Sequence, residues 1–576
     1  MNKRQLKNIL GDLPMTAEIY WLMRQRGRPL SRSFSLSKIE KKLPEWKKVV
    51  EESRITLLKN GNPVTHTCNI MIFATLRYWI EHGVLLGMGL VGQGHQVTLA
   101  YLPYANWQRP LNRFDQRRQD LYARHILQKC SPVMEAVSFY NGEADPDRKT
   151  LKRPYGLPDE LVHPIEELSI RDVQYTLQIE EVDFNNRLHS FRLGRNVRAA
   201  QAALEWIKST DHPPEVILVP NGSILEMGAI YAVARYLKIP VVTYEFGEQR
   251  ERIWLALNSE VMLQETDQLW AHTRDLKLSD EQWEKIRSLF SARRGASLWQ
   301  NFSRQWQGEA SQGGEAVLKK LNLDDRPIVL LAANVIGDSL TLGRQVFSRS
   351  MTEWLERTIQ YFLKQPANKF QLVIRIHPGE KITKGPSVAN IVRRICPQLP
   401  ENFRLIEAAD PTNTYDIAGV AVLGLVYTTT TGMEMAMGGV PVIVAGKTHY
   451  RGKGFTLDPQ NWDEYYSLID DVLSRPASWR QDQEKLDLAW RYAYRFFFDY
   501  PLPFPWRLIN FWEELADHPL EQVLSKTGQA LYSQAFHCLA GQPRQWNEQP
   551  DAAIANTITT LPDIGFNPAF REEKGS

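Results

Sequence analysis

Cysteine is scarce in this chain. Only Cys68, Cys130, Cys396 and Cys538 occur in 576 residues, and no two stand at a paired spacing. That excludes a disulfide framework or a C-x-x-C zinc site and points to a reducing compartment. No apolar run reaches the ~20 residues that span a bilayer. The amino terminus, MNKRQLKNILGDLPM, is basic but lacks a long apolar core, so it does not read as a signal peptide. A surplus of one charge is also missing: a net +3 over this length is no nucleic-acid signature. The expectation is a cytoplasmic protein, or one held peripherally at the inner face of the membrane, with no nucleic-acid partner.

What is present is a hydrophobic content of 43% with 23% charged residues, the balance of a soluble globular protein. The chain is too long for one core, so two domains with extensions are expected. Residues 1–60 read as a charged helical extension. The lysines between Lys38 and Lys59 could dock weakly on an anionic membrane, but Glu40, Glu45, Glu51 and Glu52 offset them, which favours a solvated face. Residues 61–306 read as a first α/β domain, 307–314 (QGEASQGG) as a linker, 315–485 as a second α/β domain, 486–541 as helices packing across both, and 542–576 as a loose tail. Seventeen tryptophans can pack cores, and they also stack on sugars.

The most informative stretch runs from Val420 to Thr456. An apolar run, Val420 to Tyr427, reads as a strand buried on both faces of a parallel sheet. Thr428, Thr429, Thr430, Thr431 and Gly432 follow, then a short helical pattern with Glu434 in its first turn, then a second buried strand from Val440 to Ala445. A strand, a threonine–glycine turn and a helix form the phosphate-binding connection of α/β sheets, because free N–H groups and hydroxyls face the anion. A threonine that merely caps the helix fits the same letters. Glu434 could accept hydrogen bonds from sugar hydroxyls. Arg451 and Lys453 follow in the next loop.

Other loops follow strands in the same way. Asn334, Gly337, Asp338 and Ser339 come after Pro327–Ala333, and His377 and Pro378 come after Phe370–Ile376, whose Arg375 is its last charged residue. If the sheet is parallel these loops converge on one edge, where one ligand touches them all. In the first half, Asn69–Thr75 and Val97–Leu102 bracket a helix carrying Glu81 and His82 near its start, and His95 reads as structural. Glu215–Pro220 and Pro240–Tyr244 are further strands. Glu245, Gly247, Glu248 and Arg250 follow the last, suitably placed for acid–base work or simply an exposed charged loop.

Arg375-Ile376-His377-Pro378-Gly379-Glu380, the run from Thr430-Thr431-Gly432-Met433-Glu434 to Gly438-Gly439-Val440-Pro441-Val442, and the loop ending His449-Tyr450-Arg451-Gly452-Lys453-Gly454 resemble glycosyltransferases of the GT-B fold, and among them bacterial capsule polysaccharide biosynthesis proteins. The resemblance covers roughly residues 65–500. It implies two Rossmann-like domains facing a central cleft, with the acceptor held by the first and a nucleotide-sugar donor, UDP- or CMP-linked, by the second. No tightly bound cofactor is implied. His377 and Pro378 resemble the His-Pro that touches the donor nucleotide, the threonines stand where a serine pair often stands, and Glu434 resembles the glutamate that holds the donor ribose. Two features depart from the family. Val426 stands where many retaining members carry a second glutamate, and no strand-end loop of the second half carries the Asp-x-Asp of metal-dependent sugar transferases. Metal independence is therefore expected.

The reaction this implies is transfer of a sugar to a saccharide or lipid-linked saccharide acceptor in surface polysaccharide synthesis. The donor site would comprise Asn334, Asp338, Arg375, His377, Pro378, Thr428 to Gly432, Glu434, Arg451 and Lys453. His82, Glu245 and Glu248 are the candidates for the base that deprotonates the acceptor, and the letters do not rank them. A nucleotide-sugar epimerase, a polyol-phosphate transferase, or a non-catalytic scaffold of an assembly complex would fit the same fold.

Overall fold

The computed structural model describes residues 3–59, 67–142, 156–303 and 307–546. Twelve strands are found among them: β1 (Asn69–Thr75), β2 (Gln96–Leu102), β3 (Glu135–Ser138), β4 (Val216–Pro220), β5 (Val241–Glu245), β6 (Arg252–Leu257), β7 (Ile328–Ala332), β8 (Gln371–Arg375), β9 (Phe403–Ile406), β10 (Leu423–Val426), β11 (Val442–Val444) and β12 (Leu502–Pro503). They form two sheets, in the order β12-β6-β5-β4-β1-β2-β3 and β11-β10-β7-β8-β9. In the first sheet β1 to β5 run parallel, with antiparallel β6 and β12 closing one edge. The second sheet is parallel throughout.

The apolar runs make parallel strands because both faces of each sheet are covered. In the second sheet, Leu330, Ala332, Val426 and Val442 face one core, while Val329, Leu331, Leu425 and Ile443 face the other. This period-two alternation of side chains that are apolar on both faces is why the letters read as continuous hydrophobic runs. Strand order reverses between β7 and β10 in the second sheet and between β1 and β4 in the first. Ligands bind in α/β sheets outside the carboxyl ends of the strands at such reversals. The two facing Rossmann-like sheets form the GT-B arrangement.

The boundary expected at residue 306 does not coincide with the packing. Leu269, Trp270, Ile286, Leu289 and Phe290 lie in one core with Val426, Val442 and Tyr492 of the second sheet's side. From Leu502 onward the chain returns to the first sheet, where Phe504, Trp506, Phe511 and Phe536 join its core. The segment expected to be a linker is pinned: Ser311 Oγ and the Gln312 and Gly313 amides all donate to Asp416. Of the tail expected at 542–576, residues 547–576 lie outside the described residues. In its described part, Arg544 donates to the carbonyls of Asp499 and Tyr500. No helix among the described residues is long and apolar enough to cross a membrane.

Candidate functional site

A cleft of about 1130 Å³ is lined from both sheets. The second sheet contributes Asn334, Val335 and Asp338 after β7, His377 and Pro378 after β8, Thr428 to Thr431 and Glu434 after β10, and Lys447 to His449 after β11. The first contributes Asn221 after β4, Glu245 to Gln249 after β5, and Tyr175 and Trp107 from neighbouring segments. The strand reversal in the second sheet is bridged directly, with the Thr428 amide donating to Asn334 Oδ1 at 3.1 Å.

The threonine run divides its labour. Thr429 Oγ1 accepts weakly from the Thr431 amide at 3.4 Å and donates to Thr431 Oγ1 at 3.2 Å, so that pair organises the turn. Thr428 Oγ1 is buried in the cleft wall without a partner among the described residues. The helix that follows, Thr431–Met437, has only seven residues. The turn therefore offers an anion its side chains and local amides more than a long macrodipole. His377 Nδ1 accepts from the Gly379 amide at 3.0 Å, which leaves Nε2 as the protonated, donating nitrogen.

Gly432 does not face the cleft. A Cβ there would come within 2.4 Å of the Tyr450 hydroxyl, which donates to the Thr429 carbonyl at 2.6 Å. The glycine admits the tyrosine that clamps the turn. Gly432→Ala is expected to cost about 1–3 kcal/mol, read as a lowered urea midpoint, and to loosen the threonine turn. An unchanged midpoint would mean that the tyrosine moves aside freely.

Glu434 and Glu248 come from different sheets and share one guanidinium. Arg293 donates to Glu434 Oε1 at 2.8 Å and to Glu248 Oε2 at 2.9 Å. Burial opposes the charge on Arg293, but Glu248, Glu434 and Tyr415 more than offset it, so its pKa is raised. Burial pushes the Glu434 carboxyl up, against Arg293 and a hydrogen bond from Tyr415. Arg293 was invisible in the sequence because it lies on a polar helix, Asp280–Arg294, far from any strand end.

The three candidate bases separate. His82 is fully buried among Trp79, Tyr244, Phe246, Phe504 and Phe511, with Nε2 on the Trp506 carbonyl at 3.1 Å. Burial pushes its pKa down to about 4. It is a core residue that does not line the cleft, because the returning segment after β12 covers the helix Arg77–Gly92. Glu248 is committed to Arg293. Glu245 lines the cleft, accepts from Asn221 Nδ2 at 3.2 Å and from the Phe246 amide at 3.1 Å, and pairs with no cation among the described residues. Burial raises its pKa.

Three donor-site expectations also fail on geometry. Arg375 turns into the sheet edge to donate to the Glu407 and Asp410 carbonyls and so pins the loop before residue 414. Arg451 donates to the carbonyls of Val444 and Pro459, and Lys453 pairs with Asp267. None of the three lines the cleft. Their loop instead presents Lys447 and His449. His449 stacks on Phe496 at 3.7 Å, its pKa is lowered to about 3 by burial and by Lys453 and Arg344, and its buried Nε2 has no partner among the described residues. Trp107 Nε1, Thr176 Oγ1 and Gln249 Oε1 are likewise buried and unpartnered in the cleft wall. Unmet buried polar atoms cost free energy unless a polar ligand or water meets them. His95, by contrast, is structural, with its Nδ1 accepting from the Cys68 amide at 3.3 Å.

No protein-family model matches this chain, and no curated protein matches it. Solved structures do. The KpsC β-Kdo 2,4 transferase of Thermosulfurimonas dismutans is 15% identical over 50% of this chain and 85% of its own, with a TM-score of 0.31. The UDP-GlcNAc 2-epimerase of Neisseria meningitidis, bound to UDP-GlcNAc, is 11% identical over 75% of this chain and 100% of its own, with a TM-score of 0.22. The glycotransferase of kitacinnamycin is 13% identical over 75% of this chain and 96% of its own, also at 0.22. Likeness this slight carries no argument about activity. The fold stands on the topology of the two sheets.

Proposed function

We propose that this chain is a glycosyltransferase that moves a sugar from a UDP- or CMP-linked donor to a saccharide hydroxyl, in the making of a capsule or other surface polysaccharide. One observation carries the reading: the strand-end loops of the second sheet and Glu245 of the first line a single cleft whose wall holds unmet polar atoms. Thr428 and the protonated Nε2 of His377 meet the donor's phosphate oxygens, and Lys447 adds positive charge. Glu434, held in place by Arg293 and Tyr415, accepts hydrogen bonds from the ribose hydroxyls.

Glu245 takes the proton from the acceptor hydroxyl as its oxygen bonds to the anomeric carbon. The bond from that carbon to the phosphate oxygen breaks, and the nucleotide leaves with the electron pair and the negative charge. That sequence inverts the anomeric centre. The reading is metal-independent, with side-chain donors bearing the leaving charge.

Incubation with a panel of nucleotide sugars tests the proposal. Release of free nucleotide that depends on added saccharide supports transfer. Isomerised nucleotide sugar would replace transfer with epimerisation, and absence of nucleotide binding would make the chain a scaffold. His377→Ala is expected to weaken donor binding by about tenfold, the worth of one hydrogen bond to a charged oxygen. Calorimetry showing equal affinity would remove His377 from the donor site.

A further inference from the structure

Large apolar side chains stand exposed in one place above all. Leu6, Ile9, Met15, Ile19, Leu22 and Met23 crowd the first helical segments, Lys3–Asp12, Thr16–Tyr20 and Trp21–Gln25, and the turn between the first two, with exposures from 43% at Leu6 to 76% at Met23. Elsewhere such residues mostly occur singly, as Phe184, Leu276 and Ile382 do, which needs no explanation. The patch is rigidly mounted. Ala17, Trp21 and Gln25 point inward, Trp21 meets His125 edge-on at 5.4 Å, and Arg118 donates to Gln25 Oε1 at 2.6 Å. Ile19, Leu22 and Met23 therefore face outward by the geometry of the helix itself.

The charge around the patch is predominantly positive. Arg24, Arg26, Arg28 and Arg32 are exposed, and none forms an ion pair with a described residue. The two acidic residues of this region are already occupied, Glu18 by Arg117 and Asp12 by Arg113. An outward apolar face rimmed by unpaired arginines is the pattern of a helix that lies in a membrane interface. There the apolar side chains enter the acyl boundary and the arginines meet lipid phosphates. A second copy is a poor occupant, because a two-fold contact would set these arginines against their own kind.

We infer that the amino-terminal helices, residues 3–32, dock this chain on the surface of an anionic phospholipid bilayer. This goes beyond the proposed transfer and does not depend on it. It also moves the membrane contact from the lysine-rich helix Ser37–Lys59 to the segment before it. The dock packs on the helix Arg113–Leu127, which follows directly on the loop carrying Trp107 and Gln108 of the cleft wall. Docking would therefore hold the first-sheet side of the cleft near the lipid surface.

Flotation of the full chain with phosphatidylcholine vesicles, with and without phosphatidylglycerol, tests this. The wild-type chain is expected to float with the anionic vesicles, and to do so several-fold less in high salt. Arg24→Glu/Arg26→Glu should weaken that partitioning by at least about 30-fold. Leu22→Ser/Met23→Ser should weaken it by roughly tenfold or more, with thermal melting unchanged because both side chains are exposed. Failure of the wild-type chain to bind anionic vesicles overturns the inference, as does equal binding by both variants. A wild-type dimer that the serine variant converts to monomer, without vesicle binding, would reassign the patch to self-association and overturn it as well.

Discussion

Glu245→Gln is expected to cut acceptor-dependent transfer by about 10²–10⁴-fold while leaving donor affinity within a factor of two or so. The substitution keeps the shape of the side chain and its acceptor oxygen for Asn221 Nδ2, and removes only the ability to take a proton. Of the three candidate bases, Glu245 alone lines the cleft without a cation on it among the described residues. His82 is sealed in the core, and the Glu248 carboxylate is held by Arg293. The pH profile adds an independent sign. A base works only when ionised, and burial raises the pKa of Glu245. The acid limb of kcat/KM should therefore fall at a pH above the ordinary carboxylate range, with activity rising as pH rises through it. In Glu245→Gln that limb should vanish from whatever activity remains. An acid limb at an unshifted carboxylate value, or a variant as active as the wild type, would take the base role from Glu245.

The letters made the strands legible because each is apolar on both faces and ends in a change of composition. Asn69–Thr75 and Phe403–Ile406 lie where the runs place them, and the central strands of the second sheet differ from their runs only at the ends. The strand-end loops of the second sheet converge because a parallel sheet leaves them no other edge. What the letters hid depends on contacts across long stretches of chain. β12 is two residues long and pairs with β6 some 250 positions earlier, so no local pattern marks it. The same return buries His82, whose place near a helix start otherwise suits a cleft residue. Arg451 and Lys453 have the charge to meet a phosphate, but charge says nothing of direction, and the carbonyls of Val444 and Pro459 and the carboxylate of Asp267 take them. The glutamate at 434 was readable from its turn. The arginine that holds it was not, because a polar helix surface offers many arginines and only tertiary packing selects one.

That arginine is where the next largest effect should fall. Arg293→Met is expected to destabilise the fold by about 3 kcal/mol, toward the low end for breaking a buried ion pair. The Glu248 side chain is 24% exposed and can recover some hydration, whereas Glu434 at 9% recovers little. The Arg293 guanidinium lies over the Phe497 ring at 4.8 Å, a face methionine can still cover, so lost packing is a small part of the change. The electrostatic origin has its own signature. Adding Glu434→Gln to Arg293→Met removes the stranded charge and should return part of the lost stability, so the two substitutions should fall clearly short of additive. Arg293→Lys should recover less, since an ammonium cannot reach two carboxylates in the fork that Arg293 spans. Donor affinity should fall in Arg293→Met as well, because Glu434, the carboxylate proposed to accept from the ribose, loses the partner that aims it. Additive urea midpoints would mean that the two groups do not act together, and an unchanged midpoint in Arg293→Met would mean that this bridge between the two sheets bears no load.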